Sequence, residues 1–67
     1  MMKVGDLVKQ YIFYADDIVK DVTYGIIVDI PQNSPNSCGI LNKSGKIEYA
    51  WKKELEVINE GGGYGAN

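Results

Sequence analysis

Sixty-seven residues, 45% hydrophobic and 24% charged, make one small domain with room for a thin core and none for a second lobe, which excludes a large enclosed active-site cleft. Seven lysines against nine acids give a net charge of −2, short of the concentrated positive field that binding through counterion release requires. Arginine and histidine are absent and Cys38 is the single cysteine, so the commonest general base, a thiolate zinc cluster and an intrachain disulfide are all excluded.

Val4-Gly5-Asp6-Leu7-Val8-Lys9 interleaves apolar and polar residues, with Gly5 and Asp6 suited to a tight bend, and predicts a first strand over residues 3–9. From Gln10 to Val22, Ile12, Ala15, Ile18, Val19 and Val22 come near a helical stripe, but the content is β-branched and aromatic. The segment reads, in preference to a helix, as a long irregular hairpin loop. Its aromatic base packs on the body and its acidic tip, Asp16 and Asp17, lies in solvent.

Residues 23–30 form the clearest strand: Ile26, Val28 and Ile30 share one face by alternation, Ile27 takes the other, and Pro31 removes a ladder donor and ends the run. Gly25 inside it marks a bulge or bend of the kind that curls a sheet. Residues 31–37 are all turn formers or polar and predict an exposed, projecting loop. Residues 38–42 follow as a short strand, Lys43-Ser44-Gly45 as a hairpin turn with Gly45 in the left-handed position, and residues 46–51 as the returning strand. Residues 52–55 allow a single 3₁₀ turn, which leads into a last strand at 56–58. Four glycines in the final nine residues predict a flexible tail, so the barrel spans 1–58 and the tail 59–67.

This segment order is that of an all-β, five-stranded SH3-like barrel with a single 3₁₀ turn before the last strand. The stretches Val4-Gly5-Asp6-Leu7-Val8, Tyr24-Gly25-Ile26-Ile27-Val28 and Tyr49-Ala50-Trp51-Lys52-Lys53-Glu54-Leu55-Glu56-Val57-Ile58 resemble small SH3-like proteins common among bacteriophage open reading frames. The resemblance covers residues 3–58. It implies phage origin and a non-enzymatic role in binding or assembly, as a virion component or as an accessory protein acting in the host cytoplasm. The first residues lack the features of a signal peptide, and no apolar run approaches the length of a membrane span, which also points to the cytoplasm.

No cofactor is expected. Asp16, Asp17 and Asp21 lack the spacing of a calcium loop, the terminal Gly61-Gly62-Gly63-Tyr64-Gly65 has no following helix to receive a phosphate, and Cys38 reads as a small buried hydrophobe. The aromatic residues carry more information. Ile47, Tyr49 and Trp51 share one face of their strand and Lys46, Glu48 and Ala50 the other. In the simpler reading the first three fill the barrel. In the sharper one, Tyr11, Tyr14 and Trp51 stand partly exposed with Asp16 and Asp17 as a protein-partner surface suited to a basic or proline-containing peptide. A nucleic-acid-binding barrel of KOW or Tudor type is the alternative, resting on Lys43, Lys46, Lys52 and Lys53 and opposed by the net charge. A third reading is a homo-oligomer formed through an exposed Ile27, which would also suit a small ligand held between subunits.

Overall fold

A computed structural model describes residues 2–59 as five strands: β1 (Leu7–Phe13), β2 (Val19–Asp29), β3 (Ser37–Asn42), β4 (Ile47–Trp51) and β5 (Leu55–Asn59). All pair antiparallel in one sheet of order β4-β3-β2-β1-β5, and a 3₁₀ turn at Lys52–Glu54 joins the two outermost strands. The long β2 serves both halves, pairing with β1 along most of its length and with β3 over its last residues. The architecture is the expected all-β, barrel-like order of five strands with a single 3₁₀ turn before the last, the strand ends shifted by a few residues. Asn59 belongs to β5, and the remainder of the expected tail lies outside the described residues.

Curling depends on a close approach at Gly25. A Cβ there would collide with Ile40 Cγ2 and lie 2.8 Å from the Leu41 carbonyl oxygen, so only glycine lets β3 press so tightly on β2. The bulge expected at Gly25 lies further on, where the β2–β3 register shifts between Ile27 and Asp29.

That register reverses the expected facing of β2. Val8, Ile27, Cys38, Ile40, Ala50 and Leu55 form the core, with Ile30 and Val57 packed against it. Ile27 is wholly buried and faces Ile40 across the ladder, whereas Ile26 is 43% exposed. A surface for self-association at Ile27 therefore does not exist. The physical reason is parity: Ile27 shares the inner face with Gly25, and the bulge around Val28 then restores an inward position to Ile30. On β4, Ala50 is the inward residue, and Ile47, Tyr49 and Trp51 do not fill the barrel; each is more than half exposed.

The first strand begins later than expected because Lys3 to Asp6 form a turn. Gly5 takes φ +100°, the fully buried Asp6 carboxylate accepts from the Lys3 backbone N–H (2.9 Å), and the Lys3 ammonium lies 3.3 Å away. The Gly5 N–H donates to the Ile27 carbonyl, and the Asp6 carbonyl accepts from the Ile27 N–H, which ties this turn to the middle of β2.

Residues 10–22 are not an irregular loop. β1 continues through Tyr11, Ile12 and Phe13, the chain reverses over residues 14–18, and β2 starts at Val19. The turn is closed by Tyr14 N–H to Ile18 C=O at 2.8 Å, with Asp17 left-handed at φ +62°. β-branched and aromatic side chains pair well across a ladder, so their content outweighed the near-helical spacing. The tip is solvated at Asp16 and Asp17 as expected, but its aromatic base does not pack inward: Phe13 and Tyr14 are exposed. Nor does the loop between β2 and β3 simply project. Ser34 and Ser37 are joined through their hydroxyls at 2.9 Å, and the Asn36 carbonyl accepts from the Lys52 N–H.

Candidate binding surface

β4 ends with Trp51 outward, 56% exposed, at the point where the 3₁₀ turn begins. The Lys52 N–H bond to the Asn36 carbonyl, 2.8 Å long, holds that turn against the β2–β3 loop. Between them lies an open groove of about 410 Å³, lined by Asn36, Trp51, Lys52 and Lys53. On the other side of Lys53 a second groove of about 340 Å³ is lined by Phe13, Asp17, Lys53 and Glu54. Shared Lys53 makes the two grooves neighbours, so one surface runs from the β2–β3 loop across the 3₁₀ turn to the tip of the β1–β2 hairpin.

Of the residues expected at a partner surface, Trp51 and Asp17 line these grooves. Tyr14 and Asp16 stand exposed in the same hairpin tip, with the Lys20 ammonium 5.7 Å from the Tyr14 ring centre. Tyr11 is not part of the surface. Its hydroxyl donates to Glu56 Oε1 at 2.5 Å, linking β1 to β5, and the Lys9 ammonium sits 5.2 Å over its ring. The reason is register: Lys9 faces Glu56 across the ladder, which sets that carboxylate beside Tyr11.

Asn36, Phe13 and Glu54 were not anticipated. Lys52 and Lys53 follow Trp51 directly in the sequence, where they group only with Lys43 and Lys46 as a nucleic-acid-binding set; the fold is what adds Asn36 on one side and Phe13, Asp17 and Glu54 on the other. The turn's short span, predicted from composition, was the one available signal.

The surface mixes charges in order. Lys52 and Lys53 flank the indole, while Asp17 and Glu54 face Lys53 across the second groove. Lys43 and Lys46 lie at the opposite end of β4, about 17 Å away for a five-residue strand, so the four lysines do not form one basic face. Among the described residues no group of three or more His, Cys, Asp or Glu side chains is placed to hold a metal ion. Cys38 is buried, and burial pushes its thiol pKa up, which makes it a poor nucleophile. Among the described residues, no helix is long and apolar enough to cross a membrane. Comparison with protein-family models, curated proteins and solved structures finds no match to this chain.

Proposed function

We propose that the protein is a non-enzymatic binding module that captures an extended protein segment across the 3₁₀-turn surface. The observation that carries this reading is the pair of adjoining grooves that share Lys53, one walled by exposed Trp51 and the other by Asp17 and Glu54. An apolar, proline-containing stretch suits the indole, because a preformed extended helix loses little entropy on docking. A basic residue of the same segment suits Asp17 and Glu54. Both halves of the surface stand on strands and a turn fixed by backbone hydrogen bonds, so little ordering cost is added on binding.

Phage origin, and a role as virion component or host-directed accessory protein, rest on the resemblance of the three stretches over residues 3–58. Nucleic acid is disfavoured by the separation of the lysines to the two ends of β4.

Panning a random displayed-peptide library on the full chain tests the reading. Peptides joining proline or another apolar residue to a lysine or arginine should be enriched, and Trp51→Ala should lose them with its circular dichroism unchanged. Lys53→Glu, at an exposed position, should alter the selected charge. No enrichment, or peptides still held by both variants, contradicts the proposal. A labelled single-stranded oligonucleotide retained at low salt through Trp51 would favour nucleic acid instead.

A further inference from the structure

Among the described residues β4 is an edge strand, and its phase is set by two bonds at its ends. The Asn42 N–H donates to the Lys46 carbonyl (2.9 Å) and the Lys52 N–H to the Asn36 carbonyl (2.8 Å). Hydrogen-bonded and non-bonded pairs alternate along an antiparallel ladder. Glu48 and Ala50 therefore spend their backbone groups on β3, while Ile47, Tyr49 and Trp51 aim theirs at the open edge. Those same three residues carry the outward side chains, between 56% and 60% exposed.

Natural edges are blunted with proline, charged side chains or bulges; Ile47–Trp51 has no proline, lysine or bulge, and its one charge, Glu48, lies on the Ala50 face, away from the three outward side chains. The apolar outer face also runs up to this edge, because Leu7, Ile26, Leu41 and Ile47 follow one another directly across four strands.

We propose that β4 pairs antiparallel with β4 of a second copy, about a two-fold axis at Tyr49. In this register each Tyr49 exchanges backbone bonds with its counterpart, and each Trp51 N–H donates to the Ile47 carbonyl of the other copy. Ile47 then packs beside Trp51 of the second copy on the outer face. Glu48 meets Ala50, so the strand's one charged residue faces no like charge. A register shifted by one residue on each strand would instead oppose Glu48 to Glu48 and misalign the open backbone groups.

The pairing has a built-in limit. Lys46 lies opposite Lys52 of the second copy at both ends, and the side-chain area covered is a few hundred Å² per copy, below the ~800 Å² that each partner gives a standard stable complex. Association is therefore weak, reversible and strengthened by salt, which screens the paired lysines. Trp51 serves both surfaces, so a captured segment and a second copy exclude one another there.

Sedimentation velocity on the full chain, without peptide, from about 10 μM to about 1 mM tests this, a range that brackets affinities expected of so small an interface. The mass should rise from one copy towards two with concentration, and further with salt. Ile47→Lys should weaken association about tenfold or more, because it sets a charge beside Trp51 of the second copy. Lys46→Glu should strengthen it, because the carboxylate introduced there would face Lys52 of the second copy. A mass that stays at one copy throughout overturns the proposal, as does dimerisation that neither substitution changes. Neither substitution alters a residue that lines the grooves, so failure here leaves the peptide-capture reading standing.

Discussion

Tyr49 and Tyr11 fasten opposite halves of the sheet in the same way. Tyr49 lies across Gly39, where a Cβ would come within 3.0 Å of its ring, and its hydroxyl donates to Asp29 Oδ2 at 2.6 Å. Asp29, Gly39 and Tyr49 stand in one cross-strand row, so a single phenol spans three strands and covers a glycine that has no side chain to pack. Tyr11 does the same between β1 and β5 through Glu56. The hydrogen bond to a carboxylate raises both phenol pKa values above the usual 10, with desolvation and carboxylate charge adding to the effect. A pKa raised on folding stabilises the fold fully below the unfolded value and ceases to do so as pH climbs through the folded one. The urea midpoint of the natural chain should therefore exceed that of a Tyr11→Phe, Tyr49→Phe double variant at neutral pH, and the gap should close above about pH 10. A gap unchanged at high pH would mean that the phenols contribute only ring packing.

For the elements, the decisive quantity is which face each strand turns inward. Ile27→Ala removes a wholly buried side chain and should cost about 2–5 kcal/mol, whereas Ile26→Ala, on the outer face, should cost less than about 1 kcal/mol. Urea denaturation of the two variants reads the difference, and equal losses would contradict the facing described. Strand existence was legible in residues 23–30 because β-branched content and a terminal proline are local signals. Facing was not, since alternation over Ile26, Val28 and Ile30 is broken by a bulge that depends on how β3 pairs. Residues 10–22 were misread for a related reason. Each half of that hairpin is stabilised by the other, and a local window sees only near-helical spacing. The candidate surface was legible in part: Trp51, Tyr14, Asp16 and Asp17 stand exposed as the sharper reading required, but Tyr11 is claimed by Glu56 through a register no local pattern reveals.

At the scale of the molecule, a thin core is wrapped by an unusually apolar exterior. Few large side chains reach the interior, while Tyr24, Ile26, Ile47, Tyr49, Trp51 and Ile58 lie outside. Backbone ladders and two cross-strand phenols hold the barrel together with its thin interior, and the rings left outside are exposed to solvent. Trp51 is the only tryptophan, so its fluorescence reports directly on the residue at the centre of the proposed surface. In the folded chain at low concentration, Trp51 should emit at nearly the unfolded wavelength and be quenched readily by iodide, which the neighbouring Lys52 and Lys53 attract. A blue-shifted emission that iodide does not quench would place the indole inside the barrel and contradict the binding surface built around it.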